Sequence, residues 1–195
     1  MKRIFDILFS FIGLIILLIP FTLIGIVIAV DSRGGIFYKQ TRVGKDGIDF
    51  KLFKFRSMRI DSDKGSLITI GGKDNRITKV GYFIRKYKID ELPQLLNVLV
   101  GDMSLVGPRP EVRKYVDMYN REQLAVLSVK PGITDYASIE YSNENEMLGK
   151  ATDPEATYIN EIMPAKLKLN LKYIQEKSFG VDVKIIFKTI GKIMR

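Results

Sequence analysis

Hydrophobic positions change character along the chain. From Ile7 to Val30 the sequence ILFSFIGLIILLIPFTLIGIVIAV is almost unbroken hydrocarbon. As one straight helix it would reach about 36 Å, against a bilayer core about 30 Å thick. It is too long for a signal peptide, and Asp31-Ser32-Arg33 is no cleavage site. Residues 36–56 then favour strands at Phe37, Tyr38, Thr41 and Val43, turn at Gly44-Lys45-Asp46-Gly47, and alternate again at Ile48, Phe50 and Leu52. That pattern predicts a β-hairpin. Residues 61–76 are polar and glycine-containing and read as a loop. A helix is predicted over about 78–87.

A further helix is expected to open at Asp90-Glu91, because proline fits only the first turn and Pro93 follows at once. Leu92, Leu95, Leu96 and Leu99 give it one apolar face. Residues 101–110 form a Gly/Pro loop, helix is expected over about 111–127, and Pro131-Gly132 turns the chain. Two more helices are expected at about 153–176 and 181–194. No internal repeat or low-complexity stretch interrupts this pattern. The fold class is α+β and mostly helical, with one small β-hairpin and amphipathic surface helices.

Charge refines the reading of the apolar segment. Lys2 and Arg3 precede it; Arg33, Lys39, Arg42 and Lys45 follow it. Positive charge on both flanks obeys the positive-inside rule only if both ends stay on the cytoplasmic side. Pro20 lies mid-segment, where it lacks an N–H and can kink a helix. A re-entrant helical hairpin over 1–32, with a catalytic domain over 33–195 on the cytoplasmic face, is therefore favoured. A single crossing anchor is the alternative. The last helix sets Lys184, Lys188, Lys192 and Arg195 against Val183, Ile186, Phe187, Ile190 and Ile193. It suits a membrane surface, or equally a helix packed on the domain with its lysines in solvent.

Composition narrows the chemistry. Lys and Arg outnumber Asp and Glu by 31 to 22, a net charge of +9, which points to a polyanionic partner. The cations are dispersed among apolar segments, which argues for membrane phosphates over nucleic acid. There is no cysteine and no histidine. Ser-His and Cys-His nucleophile systems and the usual zinc sites are excluded, and any metal would have oxygen ligands such as magnesium accepts.

The acidic pair Asp90-Glu91 reads two ways. Asp90 fits an N-cap and Glu91 a first-turn acid favoured by the helix dipole. Alternatively, two carboxylates beside Lys54, Arg56, Arg85 and Arg109 make a site for a metal and a phosphorylated substrate, with the arginines as bidentate phosphate forks.

The string RKYKIDELPQLLNVLVGDMSLVGPRP, preceded by KFRSM at 54–58 and NRITKVGYFIRK at 75–86 and followed by KPGIT at 130–134, closely resembles the bacterial sugar transferases known as monotopic phosphoglycosyl transferases. The proline-containing N-terminal segment resembles theirs too, so the likeness covers most of 1–134. It implies transfer of a sugar 1-phosphate from a nucleotide diphosphate sugar, usually a UDP-sugar, to polyprenol (undecaprenyl) phosphate, with release of UMP. It implies a ping-pong course in which Asp90 is the nucleophile and Asp90 and Glu91 meet a magnesium ion. Lys54, Arg85, Arg109 and Arg56 would bind phosphates, and the enzyme would sit at the bacterial inner membrane at the first membrane step of glycan assembly. The chain would be a minimal catalytic form without the extra N-terminal helices of longer relatives.

Two departures stand out. Ile19-Pro20 replaces the usual Ser-Pro at the membrane break, where Thr22 is a candidate substitute for the serine hydroxyl. PGITDYASIEYSNENE, with Asp135 in place of glycine, replaces a different family continuation, so substrate recognition is expected to differ there. The other readings are a glycosyltransferase that moves the sugar without its phosphate, releasing UDP, and a non-catalytic membrane adaptor in which Asp90 only caps.

Overall fold

A computed structural model describes residues 2–60, 62 and 74–193. Among these, helices α1 (Lys2–Asp31), α2 (Lys79–Lys86), α3 (Gln94–Val100), α4 (Arg113–Val116), α5 (Tyr136–Glu140), α6 (Glu144–Lys150), α7 (Pro154–Thr157), α8 (Met163–Glu176) and α9 (Phe179–Ile193) surround two small sheets. Strands β1 (Phe37–Val43) and β2 (Asp49–Phe55) form the expected antiparallel hairpin, in register from Phe37↔Phe55 to Val43↔Asp49. Strands β3 (Ser104–Val106) and β4 (Gly132–Thr134) pair in parallel. The polar loop expected over 61–76 lies outside the described residues except at 62 and 74–76.

The two half-helices expected around Pro20 are a single helix. Lys2–Asp31 runs as one element with Pro20 inside it. Asp6, Ser10, Gly25 and Ile28 are buried on one face, and half-buried Gly13, Phe21 and Ile24 fall between them at helical spacing. Gly13 approaches Leu95 and Gly25 approaches Ile36; Phe21 packs edge-on against Phe55 at 5.0 Å. Contacts with one body on both sides of the proline oppose its cost of about 3 kcal/mol, so the helical path continues. Thr22 donates to the Leu18 carbonyl at 2.9 Å, not to that of Ile16, whose usual N–H partner proline removes. The other face exposes Ile4, Leu8, Ile15, Ile19, Ile26 and Val30. Only 11% of its most apolar window is buried, which a core helix of a water-soluble domain would not tolerate.

Both ends of α1 are tied down by polar contacts. At the start, Lys2 donates to the Val106 carbonyl at 3.0 Å and pairs with Asp182. Arg3 donates to the Val98 and Leu99 carbonyls, closing the C-terminus of α3. Buried Asp6 accepts from Ser104 Oγ and the Leu105 N–H, each at 3.1 Å. At the far end, the Val80 N–H donates to Asp31 at 3.3 Å.

The helix expected over 111–127 is broken. Only Arg113–Val116 is α-helical, and a 3-10 segment covers Gln123–Ser128. Between them the Asn120 and Gln123 side chains take each other's backbone N–H groups, both at 2.9 Å. Such local bonds compete with helix. Toward the C-terminus, α7 runs through a π turn (Tyr158–Ile162) into α8, within the helix expected over about 153–176. Helix α9 buries Ile185 against Val106 and Tyr173 and leaves Phe179, Phe187, Ile190 and Ile193 exposed. It is therefore packed on the domain while still presenting apolar residues outward.

Candidate active site

The acidic pair sits where two helices are joined. Thr78 caps α2 by accepting the Gly81 N–H at 2.9 Å. After α2, Lys88 adopts a left-handed conformation (φ 57°) that turns the chain, and Ile89–Glu91 form a 3-10 turn. Helix α3 opens only at Gln94, later than Pro93 alone suggests, because the left-handed residue and the 3-10 turn come first. Asp90 is consequently not an N-cap. It is 4% exposed, lines a cleft of about 450 Å³, and no described residue donates a hydrogen bond to its carboxylate.

Each strand and loop brings one cation to this turn. Asn97 of α3, fully buried, accepts the Phe53 N–H at 2.9 Å and donates to the Lys51 carbonyl at 2.8 Å. Its amide thus pairs with β2 as a further strand would, and holds the neighbouring Lys54 over Glu91, Nζ to Oε1 at 3.3 Å. Arg109 comes from the GPRP loop, which lies directly on β4. A Cβ at Gly132 would stand 2.0 Å from the Gly107 nitrogen, so only glycine permits this approach. Asp135 accepts the Arg109 N–H at 3.1 Å and caps α5 through the Ser138 N–H at 2.6 Å. Arg109 grips Glu91 with both guanidinium nitrogens, Nη1 to Oε2 at 3.0 Å and Nη2 to Oε1.

The two neighbouring carboxylates are therefore shifted in opposite directions. Burial, with the Glu91 charge adding, pushes the Asp90 carboxyl above its ordinary range against the pull of Lys54, Arg85 and Lys88. Burial disfavours ionisation of Glu91 as well, but Arg109 and Lys54 override it and hold that carboxyl well below the usual range. The Glu91 charge raises the Arg109 pKa. Burial draws the Lys54 ammonium below its usual value, with Glu91 opposing. Both Glu91 oxygens accept from cations, Oε1 from Lys54 and Arg109 and Oε2 from Arg109. Asp90 is the carboxylate facing the cleft.

The cleft brings together Asp90, Lys54, Arg85 and Arg109 among its lining residues. Arg56 borders it too, and its two terminal guanidinium nitrogens donate to the C-terminal end of α1, while its buried Nε has no partner among the described residues. Those terminal nitrogens donate to the carbonyls of Arg33 at 2.7 Å and Ser32 at 2.6 Å and to the Ser32 hydroxyl at 3.1 Å. At the end of the KFR run, Arg56 thus supplies a helix C-cap. Of the groups able to hold a metal, Asp90 accepts no hydrogen bond from the described residues, whereas Glu91 accepts from both Lys54 and Arg109. No cluster of three acidic side chains exists among the described residues.

Sequence reasoning did not reach Asn97, or the Arg42–Glu111–Tyr158 contacts along the same cleft. Arg42 reaches Glu111 at 2.9 Å, and the Tyr158 hydroxyl donates to the same carboxylate. The signal for Asn97 was an amide on an otherwise apolar helix face; Glu111 follows GPRP directly.

A model of the bacterial sugar transferase family matches residues 1–195. The chain is 41% identical over 172 residues to a UDP-N-acetylgalactosamine-undecaprenyl-phosphate N-acetylgalactosaminephosphotransferase of Aeromonas hydrophila, covering 87% of this chain and 38% of that protein. It is 38% identical over 198 residues to a UDP-glucose:undecaprenyl-phosphate glucose-1-phosphate transferase of Escherichia coli (strain K12), covering 98% of this chain and 40% of that protein. It is 38% identical over 197 residues to the uncharacterized sugar transferase EpsL of Bacillus subtilis (strain 168), covering 100% of this chain and 87% of that one. The chain thus spans well under half of the first and second of these relatives. A match along the whole chain, with the DELPQL and GPRP segments meeting at one cleft, gives a single conclusion: the chain belongs to the bacterial sugar transferase family.

Proposed function

We propose that this protein transfers a sugar 1-phosphate from a nucleotide diphosphate sugar, a UDP-sugar, to polyprenol (undecaprenyl) phosphate at the cytoplasmic face of the bacterial inner membrane. The observation that carries the reading is the Asp90 carboxylate, unbonded and facing a cleft that Lys54, Arg85 and Arg109 also line. A diphosphate entering this cleft meets excess positive charge, and phosphoryl transfer is chiefly positioning and charge stabilisation.

In the first half-reaction an Asp90 oxygen bonds to the phosphorus that bears the sugar. The bond from that phosphorus to the bridging oxygen breaks, and UMP leaves with the electron pair. In the second, a phosphate oxygen of the lipid attacks the same phosphorus and the bond to Asp90 breaks. The carboxylate needs no histidine base, which suits a chain that has none. Arrival of substrate beside the raised Asp90 requires its ionised form, and Lys54 and Arg85 favour that form.

The donor set fits a magnesium ion held by Asp90 together with substrate oxygens and water, the usual way this ion is bound to phosphate substrates. When bound, such an ion neutralises diphosphate charge and polarises phosphorus. Glu91 would serve it indirectly, by setting the positions of Arg109 and Lys54.

The membrane disposition has its own support. Both ends of α1 contact the domain that carries the cleft, and its outer face is apolar. A helix held this way suits re-entry or shallow burial, with the lipid acceptor reaching the cleft from the α1 side.

The test is to supply membranes containing the protein with polyprenol phosphate and a panel of UDP-sugars. The wild type is expected to release UMP and to show a covalent phosphosugar adduct by intact mass; Asp90→Asn should show neither. Release of UDP, or an adduct persisting in Asp90→Asn, contradicts the proposal.

A further inference from the structure

The cleft does not end at the acidic turn. Tyr38, Gln40 and Arg42 alternate on one face of β1 and all line it, so it runs along that strand. Tyr38 stands opposite Lys54 in the sheet and Arg42 opposite Phe50. Lys54 therefore lies level with Tyr38, and Arg42, whose backbone lies about 13 Å further along the strand, marks a second region with Glu111. Resting on the donor reading above, we propose that this second region is the sugar subsite and that Asn170 of α8 determines which sugar it accepts.

Asn170 is 5% exposed and lines the cleft, and its side-chain oxygen is shut from solvent without a hydrogen-bond partner. No described residue bonds its amide nitrogen either. Buried polar groups are almost always paired, and an unpaired one calls for a ligand or a functional reason. An amide that can both donate and accept matches a sugar hydroxyl.

Charge separates the two regions. Among the described residues, the acidic turn carries the cations Lys54, Arg85 and Arg109 with the two carboxylates Asp90 and Glu91. Around Asn170 the charges cancel in pairs: Arg42 with Glu111 at 2.9 Å, and Lys166 with Glu144 at 2.6 Å. A lining of cancelled charges, tyrosines and one vacant amide suits a neutral hydroxylated ring and not a phosphate.

The order of events fixes which part of the donor goes where. In in-line displacement the leaving group departs opposite the Asp90 oxygen, and the lipid phosphate later enters along that same line. The opposite end of the cleft, at Gly34, Arg56 and Ile60, adjoins the C-terminal end of α1. Lipid arriving there occupies the path UMP has left. The sugar is left with the region toward Arg42 and Asn170.

Asn170→Leu tests this with purified protein in lipid nanodiscs. Because the amide has no partner to lose, thermal stability should hold or rise. The kcat/KM for the preferred UDP-sugar should fall about 10–100-fold and the ranking across a UDP-sugar panel should change, while inhibition by UMP stays as in the wild type. Asn170→Ala, which adds no bulk, repeats the measurement should leucine not fit. Unchanged kcat/KM and ranking in both variants overturn the subsite. Weakened UMP inhibition with an intact sugar ranking overturns it too, by placing the nucleoside there. A wild type that releases no UMP from any donor defeats the donor reading itself, a result separable from failure of the subsite alone.

Discussion

Glu91→Gln separates two roles that the acidic pair leaves open: counter-ion and metal ligand. The substitution keeps shape and removes one charge. The Glu91 side chain is 12% exposed, Lys54 17% and Arg109 31%. Without the carboxylate, two cations face each other at a buried turn. Removing one member of a buried ion pair costs about 3–5 kcal/mol, and the partial exposure of Arg109 puts the expected loss near the lower figure, about 3 kcal/mol. For a chain of this size each kcal/mol moves the melting temperature by about 2–4 °C, so a fall of about 6–12 °C is expected.

The sign of the pH dependence follows from the depressed Glu91 carboxyl. A carboxyl held below its unfolded value contributes stability that is present above the unfolded pKa and lost as pH falls through the folded one. The gap between wild type and variant should therefore narrow on acidification. Thermal unfolding in nanodiscs at neutral and acidic pH measures this, with the magnesium concentration at half-maximal turnover recorded in parallel. An unchanged melting temperature together with a much weakened magnesium response would refute the counter-ion assignment and make Glu91 a metal ligand.

Asp90→Asn should behave in the opposite way. Its carboxyl is raised, so ionisation costs the folded state stability as pH climbs from the unfolded pKa to the raised one; at neutral pH the variant should melt no lower than wild type while turnover is lost, and a clearly lower melting temperature contradicts this. Wild-type turnover should fall on the acid side at a pH above the ordinary aspartate range, as a pH profile of kcat/KM can show. Thorough chelation with EDTA should stop turnover and added magnesium restore it; activity indifferent to chelation removes the metal from the reaction. Impermeant labelling of single cysteines introduced at 4 and at 36 should find both ends of α1 on one side of the membrane, whereas labelling from opposite sides shows a crossing.

What was legible in the sequence was what depends on local pattern. The β-hairpin follows from alternation and a Gly-containing turn, and helices expected over about 78–87 and 153–176 match α2 and α8. The 3-10 turn at Ile89–Glu91 was not legible, because it depends on Lys88 adopting a left-handed conformation, which no lysine advertises. The β3–β4 pairing escaped for another reason: two three-residue strands are too short for a period, and their meeting depends on backbone contact at Gly107 and Gly132. For the candidate site, Asp90, Lys54, Arg56, Arg85 and Arg109, which the sequence suggested, all line one cleft. Arg56 was not distinguishable from the other cations, since a C-cap and a phosphate ligand ask the same thing of a guanidinium: to face oxygen atoms carrying negative charge.

That ambiguity has a physical lesson for how the anchor and the cleft are connected. Arg3 closes the C-terminus of α3, the helix that follows the acidic turn, and Arg56, two residues beyond Lys54, closes the C-terminus of α1. Each arginine belongs to one partner and satisfies carbonyls of the other, so neither helix end is complete alone. The Lys2 and Asp6 contacts extend the same dependence to β3 and α9. An apolar helix whose only task was to hold a domain near lipid would need one linker and none of these bonds. Their distribution along α1, from Lys2 to Asp31, instead fixes its apolar outer face relative to Lys54 and Asp90. Under the proposed transfer onto a phosphate with an isoprenoid tail, the tail would stay in hydrocarbon while its head reaches Asp90 at constant depth.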